Sequence, residues 1–223
     1  MNGTKATFLE SSEISFNEEH WQKINYNTSC YEKNFAKGKV NYRNMELEKE
    51  RAYNLSNRSL MNLEKLLVDF ETHFNKNGGK VLWARDAEGA RKLIIDLLTR
   101  ERVTAVTRSN STVLDEIDVN AFLGRKNISV TETGFSRFVL QTKNLHSYHP
   151  LSSAIHLSKE EINGLLTEQY KLKPESSPKQ MVNFVRYQVA EKTKGTHACL
   201  TGANFLLSDE GGVVLTENEG NIL

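Results

Sequence analysis

Lys80–Ser111 reads KVLWARDAEGARKLIIDLLTRERVTAVTRSNS, and the change of period within it decides the fold. Lys80–Ala84 has the short apolar, β-branched character of a strand. Asp86 is placed to cap a helix on which Ala90, Leu93, Ile94, Leu97 and Leu98 form one face. Val103–Thr107 predicts a second strand, and Arg108-Ser109-Asn110-Ser111 leads from it into another helix. There Thr112 and Asp115 resemble a capping box with Asp in place of Glu. Strand, helix and strand in this order form a βαβ unit, which implies a parallel sheet.

The same alternation continues downstream. Ile128–Val130 predicts a third strand and Arg137–Gln141 a fourth. Ser158 with Glu161 forms a cleaner capping box, opening a helix that turns Ile162, Leu165, Leu166 and Tyr170 inward. Pro174 and Pro178 frame a linker before a helix carrying Met181, Phe184, Val185 and Val189, which Lys194-Gly195 ends. Upstream, residues 44–74 are helical, with Leu63, Leu66, Leu67, Phe70 and Phe74 at helical spacing and Asn77-Gly78-Gly79 as the stop. Residues 1–42 are polar, a composition that often stays disordered. Their isolated aromatics Phe16, Trp21, Tyr26, Tyr31 and Phe35 predict an arm pinned onto a surface at a few points. The expected organisation is therefore this helical arm over 1–42, then one α/β domain over 43–223. The domain is expected to be a three-layer αβα sandwich with a mainly parallel sheet covered on both faces and right-handed crossovers.

Ala198–Asn221, ACLTGANFLLSDEGGVVLTENEGN, holds four of the thirteen glycines and reads as strand, loop, hairpin and loop. Its loops carry amide, carboxylate and hydroxyl groups beside bare backbone, which suits a small polar ligand and equally suits ordinary turns.

Bulk composition excludes several classes. With 29 basic and 28 acidic residues in 223, the net charge of +1 offers no global field for nucleic acid or an anionic membrane. No apolar run approaches the ~18 residues of a membrane span, and Met1-Asn-Gly-Thr-Lys-Ala lacks the apolar core of a signal peptide. Cys30 and Cys199 are far apart, which argues against a disulfide framework or a thiolate-held metal or iron–sulfur site. A cytoplasmic protein is the expectation.

Ligands of open α/β sheets sit at the carboxyl ends of the strands. Arg108, Ser109 and Ser111 lie there, and would suit a carboxylate or phosphate, although a serine in such a place often only caps its helix. Thr201, Gly202 and Asn204, with Asn218, Glu219 and Asn221, form a second candidate group. His146, His149, His156 and His197 lack a standard zinc spacing, and packed or surface imidazoles are the plainer reading. Cys199 is expected as an inert buried thiol and Trp83 as a core residue. There is no Gly-x-Gly-x-x-Gly, Walker loop, Gly-x-Ser-x-Gly or Cys-x-x-Cys.

Several of these segments together resemble the lactate-utilisation (LUD) domain family. They are Gly78–Glu88 (GGKVLWARDAE), Arg108–Ser111, Glu132-Thr133, and His149 with Ala154-Ile155-His156. Thr201–Phe205 (TGANF) and Asn218–Asn221 (NEGN), in this order and spacing, are the most specific. Within the family the likeness is to the branch of the iron–sulfur subunit of a bacterial system that oxidises L-lactate to pyruvate. The resemblance implies a fold like the sugar-phosphate isomerase and CoA-transferase group and a role in lactate oxidation beside other subunits. It adds Glu132, His149 and His156 as secondary site candidates, and transfers no catalytic residue. Relatives of that branch continue into a ferredoxin-like part holding iron–sulfur clusters, so this chain is expected to carry no cofactor and to be either a fragment of a longer protein or a shortened paralogue. Where relatives have Glu-Thr-Asp-Leu-Gly-Glu, this chain has Glu132-Thr133-Gly134-Phe135-Ser136-Arg137. The alternatives are a CoA-transferase or isomerase-like enzyme using Glu217 or Glu219 as a carboxylate nucleophile, and a non-catalytic interaction module.

Overall fold

The computed structural model describes residues 12–145, 147–149 and 152–216. The βαβ logic holds at its centre. Asp86 caps helix α4 (Ala87–Arg100) by accepting from the Gly89 amide at 2.7 Å; α1 to α3 precede it and are defined below. The chain then forms β1 (Ala105–Arg108), α5 (Thr112–Glu116), α6 (Val119–Gly124), β2 (Ser129–Glu132) and α7 (Phe135–Thr142). Helices α8 (Lys159–Tyr170) and α9 (Pro178–Thr193) follow, then β3 (Cys199–Leu200) and a hairpin of β4 (Phe205–Leu207) with β5 (Gly212–Val214). The sheet is parallel, in the order β2-β1-β3, with Ala105 to Arg108 in register with Ser129 to Glu132. This is the expected α/β class, with three strands in the parallel sheet among the described residues.

Two apolar clusters flank that sheet. Leu98, Val106, Leu114, Val119, Leu123 and Ile128 join α4, α5 and α6 to β1. Phe138, Val139, Leu166, Leu172, Met181 and Val185 join α7, α8 and α9, and α7 and α9 both pack on β2. The Ser158–Glu161 capping box forms as expected, and a second one, Ser177 with Gln180, opens α9 with Pro178 at its start.

Four local expectations are corrected. Lys80–Ala84 forms no strand and pairs with none of the described strands, and Trp83 is 56% exposed rather than in the core. Residues 137–141 are helical, inside α7. Phe135, Phe138, Val139 and Thr142 recur at helical spacing, a pattern that a window opening at Arg137 cuts short. Residues 44–74 form two helices, α2 (Met45–Met61) and α3 (Leu63–Lys76), because the Asn62 side chain donates back to the Arg58 carbonyl at 2.8 Å and ends the first. The cap of α5 is Ser111, accepting from the Leu114 amide, and not Thr112.

The polar arm is helical over most of its described part. Asn17 caps helix α1 (Glu18–Lys39), and polar side chains of that helix reach the rest of the domain. His20 is buried and reaches the Tyr148 hydroxyl at 3.1 Å. Lys23 pairs with Glu161 at 2.7 Å, and Asn27 donates to the Ile155 carbonyl at 2.8 Å. Tyr26 and Tyr31 are left exposed.

Candidate functional site

The alternation of β1 sends Val106 and Arg108 to the same buried side, so the strand's last residue carries a guanidinium into the protein. A cation that is 2% exposed needs partners. Arg108 Nη1 donates to Glu132 Oε1 at 3.0 Å and Nη2 to the Ser111 carbonyl at 3.0 Å. Nη2 also meets one oxygen of Asp115, whose other oxygen takes Arg137 Nη2. Arg137 Nε donates to Asn110 Oδ1 at 3.2 Å, and Asn120 Nδ2 donates to Glu132 Oε1 at 2.8 Å. Burial, working against the Arg108 charge and the Asn120 hydrogen bond, holds the Glu132 carboxyl above the usual carboxylate range. Arg108, Asp115, Asn120, Glu132 and Arg137 line a groove of about 1080 Å³ between α5, α6, β2 and α7.

Gln141 closes the outer edge of β2 in the manner of a neighbouring strand. Its side chain donates to the Val130 carbonyl at 2.7 Å and accepts from the Glu132 amide at 3.1 Å.

On the other side of β1 the hydroxyl groups meet. Ser109 is 1% exposed, and its Oγ lies 2.7 Å from Thr201 Oγ1, joining the loop after β1 to the loop after β3. Gly202 comes so close to Ser111 that a Cβ there would stand 2.7 Å from Ser111 Oγ. Ser109, Ser111, Thr201 and Gly202 are therefore one constellation, with Arg108 and Glu132 beneath it at the strand ends. Asn204 serves the hairpin, its Oδ1 accepting from the Thr216 amide at 2.9 Å. Asn218, Glu219 and Asn221, like Glu217, lie outside the described residues.

His149 lies in the segment before α8, as does His156, whose ring lies tilted against that of Tyr148 with centroids 5.2 Å apart. His156 belongs to the region where α1 docks, beside Tyr148 and His20. Burial first, and then the nearby His20, hold the His156 imidazole below its ordinary range. Among the described residues no group of three or more His, Cys, Asp or Glu is placed to hold a metal ion. Cys199 is exposed, which corrects the expected buried thiol: its short strand is the last in the parallel sheet among the described residues.

Asp115, Asn120, Arg137 and Gln141 were missed by sequence reasoning. The available signal was an arginine set directly before the buried run Phe138-Val139-Leu140, since a charge there requires an acidic partner.

The profile described as LUD domain matches residues 67–222. The chain belongs to the LUD domain family. The LUD domain chain is 31% identical over 173 residues to the "uncharacterized electron transport protein YkgF" of Escherichia coli (strain K12), covering 78% of this chain and 36% of that protein. It is 30% identical over 178 residues to "Lactate utilization protein B 2" of Bacillus mycoides (strain KBAB4), covering 80% of this chain and 38% of that one. The figures are the same for "Lactate utilization protein B" of Bacillus cereus (strain AH820). The chain thus spans well under half the length of these curated relatives. No solved structure matches it at a significant level. No helix among the described residues is long and apolar enough to cross a membrane.

Proposed function

We propose that this LUD domain works in bacterial L-lactate oxidation, binding a small carboxylate at the carboxyl ends of β1, β2 and β3 and acting beside other subunits of the system. The relationship to proteins named for lactate utilisation supports the pathway. One observation carries the site: Ser109 and Thr201, from loops 92 residues apart, share a hydrogen bond at 2.7 Å next to the bare backbone of Gly202 and the buried Arg108. Hydroxyl donors, open backbone and a guanidinium at strand ends are the chemistry that holds a carboxylate.

Calorimetric titration with L-lactate and pyruvate tests this reading. Thr201→Val removes one hydroxyl from an exposed loop and is expected to abolish binding with the melting temperature nearly unchanged. Absence of binding by the wild-type chain overturns the carboxylate reading. Unimpaired growth on L-lactate after deletion of the gene overturns the pathway.

A second reading has its own observation. Helix α2 has no buried residue, and Tyr53, Leu55, Leu60 and Met61 are all exposed on it. A helix that packs so little of itself is stabilised by association, which favours contact with another subunit through α2. Deletion of residues 1–61 is then expected to abolish co-purification with that subunit and to leave carboxylate binding intact.

A further inference from the structure

Glu132 ends β2 at 3% exposure. Its Oε1 accepts twice, from Arg108 Nη1 and from Asn120 Nδ2. Its Oε2 and the Oδ1 of the same Asn120 are both buried and have no hydrogen-bond partner. With an ionised carboxylate both atoms are stranded acceptors, each bearing its desolvation cost. One proton on Oε2 removes both deficits. A carboxylic acid and a carboxamide are complementary, since the amide N–H donates to one oxygen while the acid O–H donates to the amide oxygen. Asn120 already makes the first half of that pair.

We propose that Glu132 is carried as the neutral acid, its Oε2–H donated to Asn120 Oδ1, and that the net positive charge this leaves on Arg108 and Arg137, which share the carboxylate of Asp115 between them, favours a small monocarboxylate at the neighbouring strand ends. This deepens the carboxylate-binding reading and rests on it for the ligand, although not for the proton. The charge count is the reason for a monoanion. Two guanidiniums face one carboxylate once Glu132 is neutral, whereas an ionised Glu132 would balance them and repel an anion. The charges acting on Glu132 are Arg108 from β1, Arg137 from α7 and Asp115 from α5, with burial outweighing the two cations. Glu116 and Asp118 also line the groove but are exposed, so solvent and salt screen them.

The proton is tested without a ligand. Infrared difference spectra of the wild-type chain at neutral pH are expected to contain a carboxylic-acid C=O band that disappears in Glu132→Gln. The carboxamide introduced by that substitution reproduces both hydrogen bonds, so the variant is expected to melt no lower than wild type at neutral pH. A missing band, or a large fall in the melting temperature of Glu132→Gln, overturns the neutral acid. Pyruvate titration across pH tests the ligand. Wild-type affinity is expected to fall about tenfold per pH unit above the Glu132 midpoint, and Glu132→Gln to lose that dependence. Affinity that is flat or rises with pH overturns the charge argument. A preserved band with no pyruvate binding at any pH overturns the carboxylate reading alone.

Discussion

Replacing Arg108 with Met keeps the apolar stem packed beside Val106 and removes only the guanidinium. Three acceptors then lose a donor: Glu132 Oε1, the Ser111 carbonyl and one oxygen of Asp115. Glu132 retains Asn120, and Asp115 retains Arg137 and is about a third exposed, so water can replace part of that loss. The Ser111 carbonyl costs about 1–3 kcal/mol if no donor replaces Arg108, and the lost ion pair with Asp115, together with the hydrogen bond to Glu132, raises the total to about 3–5 kcal/mol. Because water reaches Asp115, the lower end of that range is expected, about 3 kcal/mol. In a domain of this size that lowers the melting temperature by roughly 6–12 °C. Urea unfolding followed by circular dichroism measures the loss, with an unchanged slope confirming that compactness is preserved. A second arm pairs Arg108→Met with Asp115→Asn, expected to be non-additive by ~1 kcal/mol or more because the two share one contact. A cost for Arg108→Met below about 1 kcal/mol, the level of an exposed ion pair, would refute the view that this network is buried and structural.

Other expectations concern the elements around it. Gly202→Ala pushes against Ser111 Oγ, which caps α5, and is expected to cost about 1–2 kcal/mol in urea unfolding; Ser111→Gly should recover part of that cost in the double variant, and strict additivity would place the Cβ in open space. Gln141→Ala uncovers the Val130 carbonyl and the Glu132 amide, so hydrogen exchange at the Glu132 amide should accelerate and stability fall by about 1 kcal/mol. His156 favours its neutral form in the fold, so its contribution is complete above the ordinary value of 6.5 and is lost as pH falls below it, because the unfolded chain takes up the proton first. The groups facing it are His20 and Lys23 on α1, Tyr148, and Glu161 on α8. Limited proteolysis is therefore expected to release α1 more readily on acidification below 6.5, and His156→Gln to flatten that dependence; equal cleavage at both pH values would separate α1 docking from His156.

The class of fold was legible because it depends on local periods. Asp86 ahead of an apolar helical face, followed by Val103–Thr107, can hardly be read except as helix then strand, and both form close to where expected. The capping box at Ser158 is legible for the same reason: both its hydrogen bonds are made within four residues. Lys80–Ala84 has the same composition as a strand and is not one, because a strand requires an edge to pair with and sequence does not say whether that edge is occupied. Residues 137–141 read as a strand and form a helix because a short apolar run fits either period.

The candidate site divides along the same line. Arg108, Ser109, Ser111, Thr201 and Gly202 were identifiable from turn chemistry at strand ends, but not what they touch. Sequence by itself determined the βαβ order, the helix starts and the membership of the LUD family, since each is written in spacings of a few residues or in motifs. Only the tertiary structure decided that Arg108 spends its donors on Glu132, Asp115 and the Ser111 carbonyl, that Arg137 answers Asp115 from another helix, and that Asn120 shares a deficit of donors with Glu132. Those pairings join α5, α6, α7 and two strands, and burial alone makes them costly to break: the same charges at the surface would be solvated and interchangeable.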